Sequence, residues 1–179
     1  MPNWCNNTIT IKGSTDSIRE LWETAQTADN GQFGLLNAIM PMPEELKDTV
    51  ADGSEGPNWY NWRVANWGTK WEIDDTGLEF VDHGDGTASI QGWFDSAWAP
   101  PIGVYEQFAQ DFDSCYLEAF YHEPGMCFVG CWDSEGGDDY YEYTDGSEIP
   151  NYLDEHFGIR EDMAMWEEEN SDTVELEKS

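Results

Sequence analysis

The chain begins with a strand followed directly by a helix, and this start limits the folds that are open to it. Residues 7–12 read Asn-Thr-Ile-Thr-Ile-Lys, an alternation of polar and apolar side chains rich in β-branched residues that indicates a strand. The apolar residues that follow recur at the spacing of one helix face: Ile18, Leu21, Trp22 and Ala25. We therefore predict a helix over residues 15–28 that packs on a sheet containing the first strand.

The rest of the pattern completes an α+β order. Two strands, a helix and another strand follow at residues 78–82, 87–95, 101–112 and 115–122. The order β-α-β-β-α-β is that of the split βαβ or ferredoxin-like arrangement, in which an antiparallel sheet carries both helices on one face. An inserted region punctuated by Gly and Pro separates the first helix from the second strand.

The chain is longer than this arrangement needs. We assign residues 1–131 to the ferredoxin-like domain, 132–169 to an acidic extension of β and α elements packed on it, and 170–179 to a disordered tail. The sheet is expected to gain further strands from residues 126–143.

The charge is distributed unevenly along the chain. There are 38 Asp and Glu residues against 7 Lys and Arg, a net charge of −31. Residues 1–71 contain nine acids and five bases, whereas residues 72–179 contain 29 acids and two bases. Because affinity for nucleic-acid backbones and anionic membranes comes from Lys and Arg, direct binding to either is disfavoured. The acidic part is expected to meet a basic partner instead.

The lack of recognisable targeting signals and the number and spacing of the cysteines predict a cytoplasmic protein. No stretch of apolar residues is long enough to predict a transmembrane helix, and the first residues lack the basic start and apolar run of a signal peptide. The four cysteines are too few and too scattered for a disulfide scaffold. We expect reduced thiols and localisation in the cytosol of a host cell.

Four segments carry a family resemblance. They are MPNWCNN at residues 1–7, the block at 59–71, FDSAWAPP at 94–101, and YHEPG at 121–125 with Phe128 and Gly130. Together and in this order they resemble the YubB-like (Api92-like) ferredoxin-like domain family, whose members are carried by phages and conjugative plasmids. The resemblance implies a ferredoxin-like fold and an origin on a mobile element, and it implies no catalytic residue. It ends near residue 131, so that the acidic part lies outside it.

The block at residues 59–71 contains four tryptophans and two of the seven basic residues. One hypothesis is a groove for a small molecule or a peptide, with aromatic faces for stacking and basic side chains for an anion or for cation–π contacts. Its residues would be Trp62, Arg63, Asn66, Trp67, Lys70, Trp71 and Asp95. The other hypothesis is a structural block, in which at least two of Trp59, Trp62, Trp67 and Trp71 are largely buried.

No pattern predicts an enzyme. Asp95 is expected to pair with Arg63 or Lys70, because no base or nucleophile stands at a spacing that would make it a catalytic carboxylate. The chain has no nucleophile elbow, phosphate-binding loop or dinucleotide fingerprint, and no CxxC pair that would indicate a zinc site. We expect no enzymatic activity, cofactor or metal.

The density of carboxylates beyond residue 132 predicts an interaction surface. The candidate partner-binding residues are Asp133, Glu135, Asp138, Asp139, Glu142, Asp145, Glu148, Glu161 and Asp162. Duplex DNA carries one negative charge per ~1.7 Å of axis, and a rigid protein with closely spaced carboxylates can imitate it. We hypothesise that the chain binds the basic surface of a host nuclease or nucleic-acid-binding complex by nucleic-acid mimicry and thereby inhibits it. The resemblance to phage and plasmid proteins implies restriction or CRISPR defence proteins as targets.

Halophilic adaptation is the alternative explanation of the acidity. It predicts acidic residues throughout the chain, because a high net charge keeps proteins soluble in concentrated salt. The nearly balanced charge of residues 1–71 fits this explanation badly.

Overall fold

All six strands form one antiparallel sheet. The computed structural model describes residues 2–178, and only the backbone of residues 175–178. The strands are β1 (Trp4–Ser14), β2 (Leu78–Asp82), β3 (Thr87–Ala97), β4 (Tyr116–Glu123), β5 (Phe128–Asp133) and β6 (Gly137–Glu142). Their order in the sheet is β2-β3-β1-β4-β5-β6, and every neighbouring pair is antiparallel. β2 and β6 are therefore the edge strands.

Two helices on one face complete the predicted arrangement. They are α1 (Thr15–Ala25), which the Ser14 side chain caps by accepting a hydrogen bond from the Ser17 backbone N–H, and a second helix at Ile102–Asp111. Both bury apolar side chains in one core against the central strands, with Leu21 and Phe108 among them. The strand order β2-β3-β1-β4 with these crossover helices is the split βαβ topology. The predicted ferredoxin-like α+β fold is confirmed.

The inserted region adds two helices to the same face. Helix α2 (Leu35–Ile39) buries Leu35, Leu36 and Ile39 in the core. Helix α3 (Trp59–Asn66) begins after Asn58, whose side chain accepts a hydrogen bond from the Asn61 backbone N–H. A turn through Gly68, at a φ of 88° that favours glycine, follows α3. The helix Ile102–Asp111 is accordingly named α4.

The acidic segment first continues the sheet and then covers part of its other face. The domain boundary predicted after residue 131 falls inside β5, so it divides a strand of one continuous sheet. Helix α5 (Asn151–Phe157) lies on the face away from α1 and α4, where the His156 ring stacks on Phe120 with centroids 4.2 Å apart. A second, smaller core forms there from Val129, Tyr143, Ile149, Leu153 and Ile159.

A long helix occupies the C-terminal part of the chain. Gly158, in the left-handed conformation, separates α5 from α6 (Ile159–Lys178). Ile159 is buried, whereas Trp166 is 66% exposed, so that α6 is anchored at its first turns only. The structure differs from the disordered tail predicted for residues 170–179, because α6 continues to Lys178 through a run rich in Glu, which favours helix; Ser179 lies outside the described residues. In the part of the chain described, neither α6 nor any other helix combines the length and apolarity needed to cross a membrane.

Candidate functional site

The Arg63 guanidinium lies between two tryptophan rings. Its carbon atom is 5.4 Å from the ring centroid of Trp59 and 4.6 Å from that of Trp67, the residues four before and four after it. Its Nη1 donates a long hydrogen bond of 3.4 Å to the Lys70 carbonyl oxygen, and its buried Nε has no partner among the described residues. Burial lowers the pKa of Arg63, and the nearby Asp29 and Glu72 carboxylates oppose that shift.

The aromatic block is divided between core and surface. Trp67 is fully buried and its Nε1 donates to the Met40 carbonyl oxygen at 2.9 Å. Trp62 packs edge-on against it at the border of the core, with centroids 6.0 Å apart. Trp71 is 39% exposed, lies 5.9 Å from the Trp4 ring, and has the Lys70 ammonium 4.3 Å from its centroid. The structural hypothesis requires at least two largely buried tryptophans; Trp67 is buried, Trp59 and Trp62 are partly buried, and Trp71 is exposed.

A cavity of about 220 Å³ opens beside Arg63, and we name it the Arg63 pocket. Its walls include Asp29, Lys47, Trp59, Arg63 and Trp71. A separate cavity of about 320 Å³ is lined by Tyr60, Lys70 and Trp98 among others. Of the residues predicted to bind a ligand, Arg63 and Trp71 line the first cavity and Lys70 the second. Trp62, Asn66 and Trp67 line neither, and the Asn66 side chain donates to the Trp62 carbonyl oxygen instead.

The pairing predicted for Asp95 is not formed. Among the described residues the ion pairs are Arg19–Asp82, Lys47–Glu44 and Arg160–Asp154. Asp95 pairs with Asn6 across the β1–β3 ladder and alternates with the buried Phe94, so its side chain is on the sheet face away from the core that holds Trp67. Desolvation and the nearby Asp74 raise its pKa.

Sequence reasoning missed the buried carboxylate of Glu72. Its oxygens accept hydrogen bonds from the backbone N–H groups of Leu36, Asn37 and Ile73 at 2.8 to 3.1 Å, so it holds the start of α2 against the segment that follows the aromatic block. Burial raises the pKa of Glu72 to about 7, and these hydrogen bonds oppose the rise. An acidic residue beside Trp71 and before a buried Ile73 carries no local pattern that would indicate such a role.

The predicted partner-binding carboxylates lie in neighbouring parts of the acidic segment, and we name this set the acidic edge. It comprises Asp133, Glu135, Asp138, Asp139, Glu142, Asp145, Glu148, Glu161 and Asp162. They lie on β5, on the turn after it, on β6, on the 3₁₀ turn Gly146–Glu148 with its cap, and on the first turn of α6. All except the half-buried Asp133 are exposed. Despite this density, no three Asp, Glu, His or Cys side chains within residues 2–174 are placed to hold a metal ion.

Hydrogen bonds fix many of these carboxylates in position. Tyrosine hydroxyls donate to three of them: Tyr121 to Asp138 at 2.6 Å, Tyr152 to Asp139 at 2.6 Å, and Tyr140 to Glu142 at 2.9 Å. Backbone N–H groups donate to three more: Gly136 to Asp133 at 2.6 Å, Ser147 to Asp145 at 2.7 Å, and Thr144 to Glu148 at 2.7 Å. Desolvation and the neighbouring Asp139 raise the pKa of Asp138, although its hydrogen bond with Tyr121 opposes the rise. The acidic edge is therefore a largely ordered array of charge.

Arg160 is the one basic side chain described within residues 72–174, and it is engaged by the protein itself. Its Nε donates to the Gly146 carbonyl oxygen at 2.8 Å and its Nη2 to that of Ile149 at 2.6 Å. Its Nη1 donates to Asn151 at 2.9 Å and lies 3.5 Å from the Asp154 carboxylate. Arg160 thus ties α6 to the 3₁₀ turn, and no ion pair among the described residues involves a carboxylate of the acidic edge.

Comparison with known proteins identifies the family of this fold. A family model described as the ferredoxin-like domain in Api92-like protein matches residues 66–177, so the match includes the acidic segment that the sequence resemblance left out. The crystal structure of protein Api92 from Yersinia pseudotuberculosis is similar, with 19% identity and a TM-score of 0.41 over 62% of this chain and 40% of that chain. A comparison with curated protein sequences finds no match. The chain belongs to the family of ferredoxin-like domains of Api92-like proteins.

Proposed function

We propose that the protein is an interaction protein whose acidic edge binds a basic surface of another protein and competes there with nucleic acid. The observation that carries this proposal is the set of exposed carboxylates on β6, the 3₁₀ turn and α6, several of which are held by hydrogen bonds. Arg160, the cation among them, is held by backbone carbonyl oxygens and does not neutralise the set. Such a surface is complementary to clefts rich in Lys and Arg.

The spacing of charge on α6 supports mimicry of a nucleic-acid backbone. Six exposed carboxylates stand between residues 161 and 172: Glu161, Asp162, Glu167, Glu168, Glu169 and Asp172. At a helical rise of ~1.5 Å per residue they span roughly 16 Å, or about one charge per 3 Å. One DNA strand carries one phosphate per ~3.4 Å of axis. The axial density of charge on the helix is thus comparable to that of a single DNA strand.

Exposed aromatic side chains stand among these carboxylates. Tyr140, Tyr152 and Trp166 are 47%, 43% and 66% exposed. Tyr and Trp are enriched among the residues that contribute most to binding at protein interfaces. We propose that the carboxylates steer the encounter and that these rings supply the apolar contact. A host nuclease or another nucleic-acid-binding protein, such as a restriction or CRISPR effector, is the class of partner that fits.

The test is a competition assay with charge-reversed variants. Proteins captured from a bacterial lysate by the wild-type chain are bound to duplex DNA. Release of the DNA is then measured as increasing amounts of the wild-type chain or of a variant are added. We expect release by the wild type and loss of release when Glu135, Glu161 and Glu168 are all changed to Lys. Association should slow steeply as the Debye length falls from ~30 Å at 0.01 M salt to ~8 Å at 0.15 M.

The matched control changes three exposed carboxylates away from the acidic edge. Replacing Asp16, Glu20 and Glu23 on α1 by Lys alters the net charge by the same amount. The control should release DNA as the wild type does. Equal loss of release in both variants would assign the effect to net charge, and unchanged release in the first variant would contradict a role for the acidic edge and for the carboxylates further along α6.

A further inference from the structure

We propose that the Arg63 pocket binds a small planar organic monoanion, such as an aromatic carboxylate. The pocket lies in the first 71 residues and uses no carboxylate of the acidic edge, so this inference is independent of the proposed function. It rests on the state of Arg63, on the rings beside it, and on the size and charge of the cavity.

Arg63 is incompletely paired. The guanidinium has five N–H groups, and the described residues provide one acceptor, the Lys70 carbonyl oxygen at 3.4 Å. Its Nε is buried without a partner, which costs free energy unless another group accepts that hydrogen. A carboxylate matches the planar fork of the guanidinium, since it can accept two parallel N–H bonds. Arg63 also lines the pocket, so an anionic acceptor bound there would meet its guanidinium.

The walls of the pocket add a second cation and two indole rings. Lys47 lines the pocket, although its Nζ also pairs with Glu44 at 2.6 Å. Trp59 and Trp71 present aromatic surface to the same space, and Trp71 is partly open to solvent. Indole rings favour a planar ligand, because offset or edge-on packing of aromatic rings is attractive.

The size and charge of the pocket exclude larger and more highly charged anions. Its volume of about 220 Å³ fits a single substituted ring, and it is smaller than the ~300–1,000 Å³ of pockets for drug-sized ligands. Asp29 also lines the pocket, and its carboxylate repels ligands that carry several negative charges. A monoanion with one ring meets both conditions, whereas a nucleotide polyphosphate meets neither.

The experiment is calorimetric titration of the full chain with benzoate, benzamide and inorganic phosphate. Benzoate and benzamide have nearly the same shape and differ in charge, and phosphate has charge without a ring. We expect binding of benzoate and no detectable binding of the other two. In Arg63→Gln the affinity for benzoate should fall roughly 10-fold or more, as for loss of hydrogen bonds to a charged group.

Arg19→Gln is the matched control. Arg19 also lies over an aromatic ring, 5.6 Å from the centroid of Phe80, and it does not line the pocket. This variant should bind benzoate as the wild type does. If Arg63→Gln does not fold, as judged by circular dichroism, Arg63→Lys replaces it, and its retained charge without the fork should still weaken binding. Equal binding of benzoate and benzamide, binding of neither, or phosphate binding as tight as that of benzoate would overturn the proposal.

Discussion

The Arg63 pocket and the acidic edge place charged side chains in opposite environments. In the pocket a cation is desolvated between Trp59 and Trp67 and lacks a bonded carboxylate. On the acidic edge the carboxylates are exposed, and the one described cation, Arg160, is enclosed by carbonyl oxygens. Both of these cations serve local structure. The large negative charge of the surface therefore arises from where the few cations are placed as well as from the number of acids.

Removal of the buried Trp67 ring, on which Arg63 stacks, should have the largest effect on stability. Trp67 is fully buried and hydrogen-bonded to Met40, so Trp67→Ala should lower the free energy of unfolding by ~3–5 kcal/mol. Trp166→Ala, on the exposed part of α6, should change it by less than ~0.5 kcal/mol. Denaturant unfolding of both variants measures the difference. Similar values for the two would contradict the burial of Trp67 in the core.

Loss of Arg160 should have the next largest effect. Arg160→Gln leaves the carbonyl oxygens of Gly146 and Ile149 without their donor and should cost about 2 kcal/mol. Hydrogen exchange should show the loss of protection first in α6 and in the 3₁₀ turn. Arg19→Gln removes a half-exposed pair with Asp82 and should cost less than ~1 kcal/mol. A protected α6 in Arg160→Gln would contradict the tie between these elements.

Two groups with shifted pKa values, Glu72 after the aromatic block and His122 beside the second core, should affect stability in opposite directions as the pH changes. The pKa of Glu72 is raised from 4.5 to about 7, so its contribution to stability is full below pH 4.5 and is lost as the pH rises through 7. Burial lowers the pKa of His122, next to Tyr143 in the second core, from 6.5 to about 4. Its contribution is full above pH 6.5 and is lost as the pH falls through 4.

Unfolding measured across this pH range against two variants tests both signs. Relative to the wild type, Glu72→Gln should gain stability as the pH rises from 4.5 to 7, and His122→Gln should gain it as the pH falls from 6.5 to 4. Curves that run parallel to the wild type would show that neither group titrates with the shifted pKa.

Single carboxylates of the acidic edge should have the smallest effect. Glu135→Gln removes an exposed charge and should change the free energy of unfolding by less than ~0.5 kcal/mol. Thermal unfolding at low salt should remain cooperative. Halophilic adaptation predicts the reverse, namely loss of the fold when salt is removed, so the same measurement separates the two explanations of the acidity.

The fold could be predicted because its main elements have regular patterns. The alternation in β1, the apolar face of α1 and the patterns of the later strands and of α4 together identify the ferredoxin-like order. Helix α3 was missed because its tryptophans obscure a one-sided pattern, although Asn58 followed by Asn61 is compatible with a helix cap. The extent of α6 was missed because residues 170–178 contain few apolar residues to define a face.

The geometry of the pocket was only partly accessible from the sequence. The spacing of Trp59, Arg63 and Trp67 by four residues could have indicated a stacked guanidinium. The pairing of Asp95 with Arg63 or Lys70 was predicted without considering which face of the sheet Asp95 occupies. Strand alternation places its side chain on the face opposite to the buried Phe94. Contacts such as those of Glu72 with the start of α2 depend on tertiary packing, which no local pattern encodes.

The position of β6 at the edge of the sheet has a consequence for self-association. An edge strand presents unpaired backbone groups that can pair with another copy and polymerise into a longer sheet. β6 carries Asp138, Asp139 and Glu142, so a second copy approaching this edge would bring like charges into register. Protonation of Asp138, whose pKa is raised by desolvation and by the nearby Asp139, weakens that repulsion. The protein should therefore resist assembly into fibres at neutral pH and lose this protection in acid.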